Sequence, residues 1–140
     1  MLYSAREPIK YVDPRETIGV MTDRSSDMLL WAYGYGHINQ LCLELPDATT
    51  VLDLGSGASN FGHAVAECRP DITWTNFDAR YEDEGISDED REKIELLQAL
   101  APPNLNYIGG NILDPPAQIR AQRFGRIFSY YMFHYVIDYF

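Results

Sequence analysis

The chain has 140 residues, of which 46% are apolar and 23% charged, and this suits one compact domain with a substantial core. With 21 acidic and 11 basic side chains the net charge is −10, which argues against nucleic acid, since binding phosphates needs a basic surface. No run approaches the roughly 18 apolar residues of a membrane span, and residues 1–10 lack a signal core; the expectation is a cytoplasmic protein without membrane contact.

Residues 1–24 carry little periodicity and contain Pro8 and Pro14, so they read as an irregular arm ahead of a domain covering 25–140. A helix is expected from Ser25 or Ser26, with Asp27 in its first turn. Met28, Leu29, Leu30, Ile38, Leu41 and Leu45 supply its apolar face. Gly34 and Gly36 predict a break around Tyr33–Gly36. Pro46 ends the segment.

The next stretch is the most telling: Thr50-Val51-Leu52-Asp53-Leu54-Gly55-Ser56-Gly57-Ala58-Ser59-Asn60-Phe61-Gly62. Val51, Leu52 and Leu54 form the apolar run of a central parallel strand over 50–54. Gly55 and Gly57 permit a tight turn and close approach of backbone to a ligand. Phe61, Ala64, Val65 and Cys68 follow at helical spacing, predicting a helix over 60–68 that Pro70 stops. In open α/β sheets such a loop, at the carboxyl end of a strand, is where nucleotide-like ligands bind. A dinucleotide loop would need glycine at position 60, where this chain has Asn60.

The segment Asp53-Leu54-Gly55-Ser56-Gly57 fits D-x-G-x-G instead, and here the sequence resembles the class I S-adenosylmethionine-dependent methyltransferase family. The family's third glycine is Ser59 in this chain. The resemblance implies that Asp53, Gly55, Ser56 and Gly57 hold the methionine part of S-adenosylmethionine, with Asp53 orienting its amino group.

Thr73-Trp74-Thr75-Asn76-Phe77-Asp78 alternates like a strand, expected over 72–77, and ends in a carboxylate about two dozen residues after Asp53. A carboxylate there can accept both ribose hydroxyls of an adenosine; the plain alternative is a strand-end Asp capping the next turn. The acidic run from Tyr81 to Glu95 reads as a solvated loop and helix start. Ser87 with Asp90 resembles a capping box for a helix over 88–100, which Pro102-Pro103 terminates. Ile94, Leu97 and Leu100 give that helix its apolar face.

A third strand is expected over 105–109, followed by Gly110 and Asn111. The resemblance assigns adenine contact to Asn111, or to Asp114 in its place; the local alternative is an Asn turn. Pro115-Pro116 opens a short helix over 117–122. The fourth strand, over 125–130, leads into Tyr131 and His134. By the resemblance Ser129, Tyr130 and Tyr131 face the sulfonium. His134 is a candidate general base, although a His among aromatic residues is more often simply packed.

The fold class is therefore α/β: a Rossmann-like, doubly wound parallel sheet of about four strands, helices on both faces. The resemblance implies the strand order 3-2-1-4-5 and further strands. Because the chain stops inside an aromatic run, the expectation is an incomplete or unusually short domain. The fourth strand would then be an open apolar edge, and two copies should pair through it or through residues 128–140. Cys42 and Cys68, the only two cysteines, fall in apolar helical patterns and are expected to be free, buried thiols without a metal.

The function expected from the resemblance is methyl transfer from S-adenosylmethionine to a small molecule, or less readily a protein. The alternatives are an inactive binding or scaffold module of the same fold, and a nicotinamide-dependent oxidoreductase.

Overall fold

The computed structural model describes residues 33–129. The N-terminal arm, most of the first predicted helix, Tyr130, Tyr131, His134 and most of the suggested pairing segment lie outside them.

Helix α1 spans Ile38–Glu44. It begins after the expected break, where Gly34 takes φ +90°, and His37 caps it by accepting from Asn39 N–H through Nδ1 at 3.0 Å. Strand β1 (Thr50–Leu54) leads to helix α2 (Phe61–Cys68), and strand β2 (Thr73–Asp78) ends in a short 3₁₀ turn at Ala79–Tyr81. Helix α3 is Asp88–Ala99, with Ser87 Oγ accepting from Asp90 N–H at 3.1 Å and three acids in the first turn. This is half of the predicted capping box, favoured by the helix dipole. Strand β3 (Leu105–Gly109), helix α4 (Ala117–Arg120) and strand β4 (Arg126–Ser129) complete the described part.

All three strand pairings are parallel, in the order β3-β2-β1-β4. The expected fold class is thus observed. The right-handed rule for parallel crossovers predicts α2 and α3 on one face and α4 on the other, and the core shows it for α2 and α4. One cluster joins Leu41 and Cys42 of α1, Phe61 and Val65 of α2, and Val51, Trp74 and Phe128 of the sheet. The other joins Leu52, Leu54 and Phe77 to Ile119 of α4.

The first face is densely aromatic. Trp74 stacks on Phe128 at 5.6 Å between centroids, and Phe61 meets both edge-on at 5.2 and 5.5 Å. Tyr33 closes on Phe128 at 4.8 Å and packs against this core. Such ring pairs add about 1 kcal/mol each beyond their burial. Asn104 ties the far end of the layer: its Nδ2 donates to the carbonyls of Ala66, Arg69 and Ile72 at 3.0–3.1 Å. On the second face Ile127 is 56% exposed.

One expectation is corrected. Cys42 is buried but Cys68 is exposed. Cys68 is the last residue of α2, so no further turn covers it although it continues the apolar spacing.

Candidate functional site

The strand order reverses direction at β1: the chain moves outward through β2 to β3, then returns to place β4 on the other side. This switch point is where open α/β sheets leave a crevice beyond the strand ends. The loop leaving β1 sits there. Gly55 (φ +71°) and Gly57 (φ +53°) both take left-handed conformations, which cost other residues about 1–2 kcal/mol. Gly55 N–H donates to Phe77 O at 2.7 Å, binding the loop to β2. Ser59 Oγ accepts from Phe61 N–H at 3.1 Å and so satisfies a donor at the start of α2.

Asp78 ends β2 and is buried. Its Oδ2 accepts from Gly57 N–H at 2.7 Å and its Oδ1 from Arg80 N–H at 2.8 Å. The Arg80 guanidinium adds two longer bonds of 3.3 Å, one to each oxygen. Asp78 thus caps the following turn, as the plain reading had it, and also holds the glycine loop of the neighbouring strand. The guanidinium lies over Gly57: a Cβ there would stand 2.1 Å from Arg80 Nη2.

Tyr81, three residues after Asp78, reaches back to the same loop. Its hydroxyl donates to Gly57 O at 2.7 Å and so receives the proton of Ser56 Oγ, also at 2.7 Å. Burial first, then the neighbouring Tyr107, Asp78 and Asp53, hold the Tyr81 phenol well above its ordinary pKa, so it remains a neutral hydrogen-bonding group. Tyr107 meets the Tyr81 ring edge-on at 5.0 Å and bonds His63 Nε2 at 2.6 Å.

The remaining predicted residues take separate places. Asp53 is buried within β1, in register with Asn76 of β2 and Phe128 of β4. Ser129 pairs with Leu54 at the end of β4, and its Oγ is buried without a hydrogen-bond partner. Asn111 is exposed beyond β3, where Gly109 registers with Asp78. Its Oδ1 accepts from Leu113 N–H at 2.9 Å, and Asp114 N–H bonds its carbonyl at 3.0 Å. The local turn anticipated for Asn111 is therefore present. Gly55, Ser56, Gly57 and Asp78 form one bonded unit. Asp53 lies close enough to act electrostatically on Tyr81, and Asn111 and Ser129 mark the flanks.

Sequence reasoning missed three contributors. Tyr81 was absorbed into the acidic run and Arg80 was given no role, and only their offsets of two and three from Asp78 could have singled them out. Gly62 is the third: a Cβ there would lie 2.5 Å from Trp74 Nε1. Gly62 thus serves the close helix–strand packing usually given to the third glycine of such loops.

No protein-family model matches the sequence, and no curated protein matches it. Solved structures do. Coclaurine N-methyltransferase bound to N-methylheliamine and SAH aligns at 22% identity and TM-score 0.47, covering 64% of this chain and 25% of that one. The pyocyanin biosynthetic protein PhzM aligns at 19% and 0.38, covering 54% and 22%. An O-methyltransferase family protein from Burkholderia thailandensis aligns at 22% and 0.34, with the same coverage. The chain spans about a quarter of the length of these structures. Among the described residues no helix is long and apolar enough to cross a membrane, and no cluster of three or more metal-ligating side chains occurs.

Proposed function

We propose that this chain is the cofactor-binding part of an S-adenosylmethionine-dependent methyltransferase acting on a small molecule. The observation that carries the reading is the bonded unit at the switch point, in which the Asp78 carboxylate and the twin-glycine loop of β1 are held together. The donor set suits such a ligand. Asp53 offers a buried carboxylate for an ammonium group, Asp78 offers acceptors for a ribose diol, and Ser129 offers an unpaired buried hydroxyl. Arg80 must release its long bonds for a diol to engage Asp78. The cofactor would supply an electrophilic methyl group. The protein would contribute position, by holding donor and acceptor in line.

The excess of acidic residues favours a small or cationic acceptor over nucleic acid. Pairing of two copies through the β4 edge is part of the same proposal, motivated by exposed Ile127, and light scattering on concentrated protein tests it.

Calorimetric titration with S-adenosylmethionine and S-adenosylhomocysteine, with NAD as control, tests the reading. Micromolar binding of the first two, lost in Asp78→Ala, is expected. Preferential binding of NAD, or equal affinity in Asp78→Ala, overturns it.

A further inference from the structure

The two thiols fall outside the proposed cofactor site. Cys42 lies on α1 and Cys68 ends α2, helices that pack against each other. One is buried and the other exposed, and each thiol shifts the acidity of the other. The adjoining backbone is pinned as well. Arg69, next to Cys68, donates through Nη1 to the carbonyls of Cys42 and Leu45, while its Nε and Nη2 grip the two oxygens of Asp71 at 2.8 Å each. The residue after one cysteine is therefore bonded to the backbone of the other.

We propose that Cys42 and Cys68 form a peroxide-sensitive dithiol that closes reversibly to a disulfide, with Cys68 the attacked thiol and Cys42 the resolving one. The Cys68 thiolate attacks one oxygen of hydrogen peroxide. A sulfur–oxygen bond forms, the oxygen–oxygen bond breaks, and the other oxygen leaves as water after protonation. The Cys42 sulfur then displaces the hydroxyl from the sulfenic acid, and this oxygen also leaves as water, with the Cys42 proton. Two thiols lose two electrons and two protons, and one peroxide becomes two waters.

The electrostatics assign the roles. The neighbouring Cys42 thiol comes first; with help from Arg69, and against burial, it brings the Cys68 thiol down to about 7. The neighbouring Cys68 and burial push Cys42 up. A depressed, accessible thiol beside a resolving partner is the usual arrangement of a redox-sensitive pair. Closure would staple α1 to the end of α2 around β1 and the glycine loop. It should raise the melting temperature by roughly 10 °C.

The test treats the reduced protein with one equivalent of hydrogen peroxide and follows free thiols and intact mass. Expected are loss of both thiols, a monomer lighter by two hydrogens, and recovery with dithiothreitol. Cys42→Ser should leave a sulfenic acid at Cys68 that dimedone traps, and Cys68→Ser should leave Cys42 unreacted. Oxidation of Cys68 alone to sulfinic acid, disulfides only between molecules, or oxidation of Cys42 in Cys68→Ser each overturns the proposal. If Cys42→Ser does not fold, the wild-type mass and Cys68→Ser still decide.

Discussion

Gly62→Ala separates packing from helix propensity. Within a helix, alanine is favoured over glycine by about 1 kcal/mol, so a position free of contacts would gain stability. Gly62 is not free. The added Cβ would stand 2.5 Å from Trp74 Nε1, 2.7 Å from Trp74 Cδ1 and 3.1 Å from Asn76 Oδ1. Ordinary contact therefore needs a displacement of about 1 Å. The indole cannot swing away, since Nε1 donates to Asn76 Oδ1 at 2.9 Å and the ring is stacked on Phe128. Overpacking of this kind costs about 1–3 kcal/mol, and losing the indole hydrogen bond about 1 more. Set against the propensity gain, the net destabilisation is about 1–3 kcal/mol.

Urea unfolding of both proteins measures this difference, provided the slopes match. Trp74→Phe removes the crowding nitrogen, so Gly62→Ala should cost less in that background, with a coupling of about 1–2 kcal/mol. A Gly62→Ala protein as stable as wild type, or additive effects in the pair, would refute the packing argument. Because α2 carries the glycine loop, displacing it should also weaken ligand binding.

Three further outcomes are expected. Gly57→Ala should lose more than tenfold in S-adenosylhomocysteine affinity by calorimetry; the left-handed backbone alone costs about 1–2 kcal/mol of stability, and the Cβ also forces the Arg80 guanidinium aside. Arg80→Ala should bind the same ligand about fivefold tighter, because a ribose diol then need not displace the guanidinium, a gain of about 1 kcal/mol. Asp71 is held well below its ordinary pKa, chiefly by the Arg69 side chain and then by Ala48 N–H. Its contribution to stability is thus full above about pH 3.9 and fades as pH falls toward the lower folded value. Acid titration of unfolding should show the gap between wild type and Asp71→Asn closing below about pH 4.

Where local periodicity and backbone chemistry decide, the elements were legible. Strand β1, the twin glycines, α2 and the carboxylate ending β2 all follow from apolar spacing, left-handed turns and the length of a βαβ unit. Tertiary contacts were not. Period 3.6 and Pro70 placed Cys68 at the end of α2, but the apolar spacing did not show that a residue in that last position is left exposed. Nothing local marks Arg80 and Tyr81 as neighbours of Gly57, because a 3₁₀ turn and a cross-strand reach bring them back. Asn111 shows the opposite case, since its Asx turn is local chemistry and was legible as such.

The bonded loop also bears on which ligands it can take. A pyrophosphate is held by unspent N–H groups of a glycine loop and helix start, helped by positive potential. Here Gly55 N–H goes to Phe77 O, Gly57 N–H to Asp78, Ser59 N–H to Ser56 O, and Phe61 N–H to Ser59 Oγ. The carbonyl of Gly57 is spent on Tyr81. Two buried carboxylates, Asp53 and Asp78, stand at the same strand ends, and the charge of Arg80 is matched by Asp78. A phosphate brought to this loop meets committed donors and repelling carboxylates. The loop is therefore held in shape by bonds from within the protein, with the N–H groups of Gly55, Gly57, Ser59 and Phe61 already engaged.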